Sequence, residues 1–164
     1  MNILYLHGLE SKLSPAKRKI LEKYGKVLAP DLDYHNNSNA IETILELYSN
    51  IDINTVMGSS MGGFVAYHVS NALFRPALLF NPALKKRPVL QNIPPAYNNY
   101  NNLKQIIIGQ SDDVVLPADT LSFLTENFNP VTDIHLRLVP RVGHRISVEL
   151  FEEEVESFFE KLCY

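Results

Sequence analysis

The sequence contains one cysteine, Cys163, so no internal disulfide can form, and neither a cysteine-based zinc site nor a redox pair can be assembled. Long basic blocks are also missing: the densest positive patches are Lys17-Arg18-Lys19 and Lys85-Lys86-Arg87, in a chain of formal charge −3. The first reads as a solvated helix face and the second as a loop edge, and neither gives the footprint of a nucleic-acid binder. No apolar run approaches the ~20 residues of a membrane span. The opening Asn2-Ile3-Leu4-Tyr5-Leu6 lacks the basic region, long apolar stretch and small-residue cleavage site of a secretory signal. These absences predict a soluble, cytoplasmic protein with no nucleic-acid partner and no membrane span. No pair of histidines stands near a carboxylate at metal-ligand spacing, so no metal or cofactor is expected.

What is present is a chain of 164 residues, 46% hydrophobic, long enough to bury one real core and too short for two ordinary ones. A single domain over residues 1–164 is expected. Short apolar runs suited to buried strands alternate with longer amphipathic stretches, the mark of parallel strands joined by crossover helices. Strands are predicted at Ile3 to Leu6, Val27 to Ala29, Ile53 to Met57, Ala77 to Phe80, Leu103 to Ile108 and Ile134 to Val139. Helices are predicted between them: one from Pro15, capped by Ser14 and stopped by Gly25, one around Ile41 to Tyr48, one after Ser60, one over Pro117 to Phe128, and a closing one over Ser147 to Leu162. The predicted class is α/β, a three-layer αβα sandwich around a mainly parallel, six-stranded, doubly wound sheet. Residues 81–102, with four prolines and an asparagine-tyrosine run, show no sustained period. A loop of this length is usually functional or mobile, and this one is a candidate cover for an active site.

The chemistry gathers on loops that follow predicted strands. Val56-Met57-Gly58-Ser59-Ser60-Met61-Gly62-Gly63-Phe64 places Ser60 in a GxSxG turn, where two glycines let strand and helix approach and the hydroxyl can stand above the sheet edge. A serine hydroxyl is a poor nucleophile near neutral pH and needs a neutral imidazole to take its proton, with an acid to orient that imidazole. Asp112 and Asp113 follow the fifth strand and His144 follows the sixth. Strand ends on one edge of a parallel sheet lie together, so these loops can converge. Leu6-His7-Gly8-Leu9 closes the first strand, and the backbone amides of Leu9 and Met61 are candidate donors to an oxyanion. Gly8 and His7 are candidate substrate-binding residues, Gly8 because a side chain would crowd the substrate and His7 as an anchor of that loop. Tyr97 and Tyr100 are candidates for one wall over the acyl site. His35, His68 and His135 read as loop, helix and strand residues, and Asp31 and Asp33 as loop caps.

The strand running into Leu6-His7-Gly8, the Gly58-Ser59-Ser60-Met61-Gly62-Gly63 elbow, the Gly109 to Val115 acid loop and Gly143-His144 together resemble a minimal α/β-hydrolase, and within that superfamily the small YqiA-type esterases. The resemblance spans nearly the whole length. It implies an α/β-hydrolase fold without a large cap, with Ser60 as nucleophile, His144 as general base and acid, and Asp112 as orienting acid on a Gly-x-x-Asp loop, leaving Asp113 to support that loop. It also implies an esterase, with a small-molecule acyl ester or thioester as substrate. A serine peptidase, a carbon–carbon bond hydrolase and a noncatalytic binding protein share the same scaffold. The chain departs from the type at Leu9-Glu10-Ser11-Lys12, where small polar residues are expected.

Overall fold

Among the described residues, six strands form one all-parallel sheet in the order β2-β1-β3-β4-β5-β6. The computed structural model describes residues 1–95 and 102–162. Tyr97 and Tyr100 lie outside the described residues. The strands are β1 (Asn2–Leu6), β2 (Lys26–Leu28), β3 (Thr55–Ser59), β4 (Ala77–Phe80), β5 (Lys104–Gly109) and β6 (Ile134–Val139). The helices are α1 (Pro15–Glu22), α2 (Ala40–Leu47), α3 (Met61–Leu73), α4 (Pro117–Glu126) and α5 (Val148–Leu162).

Strand alternation builds the three layers. Leu4, Leu6, Ala77, Leu79, Ile106 and Ile108 face one way, into a core shared with α2, α3 and the inner side of α4. Ile3, Tyr5, Leu78, Phe80 and Ile107 face the other way, against Ile20 and Leu21 of α1 and the apolar stripe Phe151, Val155, Phe158 and Phe159 of α5. Because the period of a strand is two, each central strand must be apolar on both faces, and the short continuous runs in the sequence reflect this. Ser14 caps α1 by accepting from the amide of Lys17, and Pro15 follows it in the first turn. Phe74 takes a left-handed conformation that ends α3.

The strand order reverses at β1, which has β2 on one side and β3 on the other. Crevices at the carboxyl ends of strands on either side of such a reversal are the usual binding sites of open α/β sheets. The loops after β1 and β3 therefore flank that crevice. β6 differs from the other strands: as the edge of the sheet it leaves Leu136 and Leu138 exposed, and Arg137 reaches out to Glu153 and Glu154 of α5. Among the described residues no helix is long and apolar enough to cross a membrane, and no group of three or more His, Cys, Asp or Glu could hold a metal ion.

Lys104 opens β5 fully buried, its ammonium hydrogen-bonded to Asn102 and 5.8 Å from the Tyr67 ring centroid. Burial pushes its pKa down from 10.5 to about 7. In the unfolded chain a lysine holds its proton up to about pH 10.4, so between these limits the unfolded state binds the extra proton and stability rises with pH. Chemical denaturation of the wild type is expected to show stability increasing from neutral pH towards about pH 9, with that slope flattened in Lys104→Met. Equal slopes in the two proteins would contradict this account.

Candidate active site

Ser60 joins β3 to α3 with φ 56° and ψ −120°, a region that non-glycine residues seldom occupy and that costs on the order of 1–3 kcal/mol. The turn is tight because its glycines allow it. A Cβ on Gly58 would lie 2.3 Å from the carbonyl oxygen of Gly62, and one on Gly62 would lie 2.1 Å from that of Leu6. The start of α3 thus rests directly on the end of β1. Ser60 does not use its side chain to cap α3, so the hydroxyl is left half-exposed at the sheet edge. Its backbone is held from both sides: its amide donates to Phe80 O and its carbonyl accepts from Ala83 N.

The loop after β1 closes against this turn. A Cβ on Gly8 would meet Ser60 Cβ at 3.2 Å, which puts the Gly8-Leu9 backbone beside the serine. The Met61 amide begins a 13-residue helix, where the first N–H groups have no acceptor within the helix and the aligned peptide dipoles favour negative charge. His7 is buried and both its ring nitrogens serve the backbone: Nε2 accepts from Leu32 N at 2.8 Å, so Nδ1 carries the proton and donates to Gly8 O at 2.7 Å. Tyr34 donates its hydroxyl to His7 O at 2.7 Å. The ring therefore anchors the loop and has no nitrogen left for a substrate. Asp33 accepts from the backbone and side-chain nitrogens of Asn36, which holds its carboxyl below the usual range.

Beyond β5 and β6 the acid and the imidazole meet. His144 Nδ1 lies 2.8 Å from Asp112 Oδ2, while Asp112 Oδ1 accepts from the amides of Val114 and Val115 at 2.9 Å each. The Asp112 side chain is fully buried and that of His144 is 23% exposed, so the acid is dry while the ring still reaches solvent. A carboxylate acceptor fixes the proton on Nδ1 and leaves the Nε2 lone pair available. Asp113 is exposed and does not touch the ring. Asp112, not its neighbour, makes the contact. His35 and His135 sit on the surface against Glu10 and Asp133. The basic triplet after β4 is committed elsewhere: Lys85 to Glu126, Lys86 to Asp119, and Arg87 4.0 Å over the Phe64 ring.

Sequence reasoning missed Asn81, the residue that ties these loops together. It follows β4, is 1% exposed, and has φ 42°. Its Oδ1 accepts from Gly109 N at 2.7 Å, and its Nδ2 donates to Gly143 O at 3.1 Å and His144 O at 3.0 Å. One side chain thus links the end of β4, the end of β5 and the backbone under His144. An asparagine before a proline at a strand end reads as a turn, and partners 28 and 62 residues away leave no local signal. Among the described residues, Glu10, Ser60, Asn81 and Arg141 are four of the five non-glycine residues with positive φ, and all four lie on loops after strands. Backbone strain is concentrated where the candidate residues gather.

This architecture recurs in solved structures. A putative α/β-superfamily hydrolase of Xanthomonas campestris pv. campestris aligns with a TM-score of 0.73 and 19% identity, covering 98% of each chain. Est1E of Butyrivibrio proteoclasticus with ferulic acid bound aligns at 0.75 and 17% identity over 99% of this chain and 90% of that one. Arabidopsis thaliana SOBER1 aligns at 0.67 and 16% identity over 100% of this chain and 99% of that one. No curated protein sequence matches the chain. At these identities the likeness establishes the fold. Residues 2–108, from β1 through the Ser60 elbow to β5, match an uncharacterised protein family, UPF0227, and the loops of Asp112 and His144 fall beyond the matched stretch.

Replacing Asn81 by alanine is expected to cost about 3 kcal/mol, because the Gly109 amide and two loop carbonyls lose their partners and a less tolerant residue takes the left-handed backbone. Urea denaturation reads this directly. A loss below about 0.5 kcal/mol would show that the three contacts do not hold the loops.

The chain belongs to the UPF0227 family, the YqiA-type group, and is built on the α/β-hydrolase fold.

Proposed function

We propose that the protein is a serine hydrolase that cleaves carboxylic esters or acyl thioesters through an acyl-enzyme. The observation that carries this reading is the 2.8 Å contact between His144 Nδ1 and the buried Asp112 carboxylate, on a loop pinned to the strand that neighbours Ser60. Its chemistry follows from the atoms. Ser60 Oγ attacks the acyl carbon as its proton passes to His144 Nε2, and the carbonyl π electrons move onto oxygen. The resulting oxyanion faces the amides of Leu9 and Met61. Collapse of this intermediate breaks the bond to the alcohol or thiol, which leaves with the proton from Nε2. Water, deprotonated by the same nitrogen, then attacks the acyl-enzyme and releases the acid. Asp112 stays ionised throughout and stabilises the imidazolium that forms in each half.

The relatives support the reaction class. The ferulic acid bound to Est1E is a carboxylic acid, the kind of product that this sequence of steps releases. Glycine at position 8 keeps the Gly8-Leu9 backbone close against Ser60, since a Cβ there would meet Ser60 Cβ at 3.2 Å. The described part of the segment after β4 does not fold into a separate cap: Gln91 donates to Tyr34 O and Asn37 O and accepts from Ala40 N, which holds that segment down against the loop before α2. The absence of a separate cap among the described residues suits esters and thioesters of small or extended acyl groups.

A fluorophosphonate probe tests the nucleophile. Covalent labelling of the wild type, absent in Ser60→Ala and slowed by roughly three to four orders of magnitude in Asp112→Asn, is the expected result. Labelling that survives in Ser60→Ala, or none in the wild type at any pH, would overturn the proposal, the latter in favour of a noncatalytic binding protein. The rate should also fall on acidification, because a protonated imidazole cannot accept the serine proton; a rate flat down to about pH 4 would contradict this.

A further inference from the structure

The basic triplet Lys17-Arg18-Lys19 reads as a solvated helix face, yet of the three only Lys19 is exposed. Helix geometry explains the difference. Successive residues turn by about 100°, so three in a row cannot share a face, and Lys17 stands three and four positions before Ile20 and Leu21, the buried residues of α1. Its side chain therefore leaves along the inner stripe, where the ammonium needs a partner other than water. Lys17 Nζ donates to the carbonyl oxygen of Ile146 at 2.8 Å and lies 5.1 Å from the centroid of the Phe151 ring. Among the described residues no carboxylate pairs with it, and burial pushes its pKa below the ordinary lysine value. A cation is thus drawn partly out of water to hold a single backbone carbonyl. That carbonyl lies two residues past His144, on a residue that is itself buried.

We propose that Lys17 is a positioning residue for His144: its ammonium holds the backbone just beyond the imidazole and, together with Asn81, fixes where Nε2 stands relative to Ser60. The inference rests on the serine-hydrolase reading of the site. Asn81 holds the carbonyls of Gly143 and His144, and Lys17 holds that of Ile146, so the stretch carrying the ring is fastened both at and after it. A charged donor makes the stronger kind of hydrogen bond to such a carbonyl. The anchor is itself firm, because the Lys17 amide donates to Ser14 Oγ in the capped first turn of α1. That helix follows the loop of Leu9. The contact spans 129 positions of sequence and joins the segment after β1 to the segment after β6, the first and last parts of the candidate site. Lys17 acts through His144 and not on the substrate.

Fluorophosphonate labelling over a range of probe concentrations separates the limiting rate of phosphonylation from the affinity for the probe. In Lys17→Met, which keeps an apolar stem and removes the donor, the limiting rate should fall about tenfold, while the affinity stays within about twofold of the wild type. Lys23 provides the control. It also reaches from α1 to α5, meeting Glu152 at 2.6 Å, but touches nothing near His144, so Lys23→Met should label at the wild-type rate. A limiting rate in Lys17→Met within twofold of the wild type would overturn the proposal and leave the serine reading in place. An equal slowing in Lys23→Met would also overturn it, by showing that only helix packing is at stake. No labelling of the wild type would overturn the serine reading and this inference with it. Should Lys17→Met fail to fold, Lys17→Ala, a good helix former without a donor, must show the same slowing, and a wild-type rate there would overturn the proposal equally.

Discussion

The contact between Asp112 and His144 is the interaction on which the candidate site depends. A buried carboxylate is tolerated only when its oxygens are hydrogen-bonded, and here two backbone amides and one imidazole N–H serve them. That arrangement decides which imidazole nitrogen keeps its proton, and so whether the ring can act as a base. The rest of the fold delivers this pair to the same edge as Ser60. Six parallel strands point their carboxyl ends one way, and four of the loops there carry Leu9, Ser60 with Met61, Asp112 and His144.

Holding that edge together opposes the tendencies of the local backbone. Ser60 and Asn81 both occupy positive φ, and each is overdetermined by its contacts: Ser60 through its amide and carbonyl, Asn81 through three side-chain hydrogen bonds and its own amide to Ile107 O. Strain of this kind persists only when surrounding structure outweighs it. The outweighing structure is the pair of apolar layers on either face of the sheet, in which Phe64, Phe80, Phe151 and Phe158 are almost wholly buried. Stability generated in the core is thus linked to Ser60 held in an unfavourable turn. Lys104, His68 and Asn71 show a second expense, at the opposite end of α3, where buried polar groups lower stability without serving the serine.

Much of the fold was legible because its signals are local. Period-two and continuous apolar runs located all six strands to within two residues at their starts, and Ser14 with Pro15 marked the start of α1. The GxSxG turn was legible because only glycine fits where Gly58 and Gly62 approach neighbouring carbonyls. What was not legible depends on distant partners. Asn81 acquires its meaning from Gly109 and His144. The exposure of β6 on both faces follows from its place at the sheet edge, whereas its alternation of Ile134, Leu136 and Leu138 with His135 and Arg137 suits a strand with one buried face. Asp112 and Asp113 are chemically identical neighbours, and the loop geometry after β5 separates them by turning one inward and one to solvent.

The most direct measurement is a crystal structure of the protein after reaction with a phosphonylating inhibitor. The account predicts phosphorus bonded to Ser60 Oγ, its phosphoryl oxygen facing the amides of Leu9 and Met61, and His144 Nε2 within hydrogen-bond reach of the adduct while Nδ1 stays on Asp112. Phosphorus on any other residue, or an imidazole turned away from the adduct with its Asp112 contact broken, would contradict it.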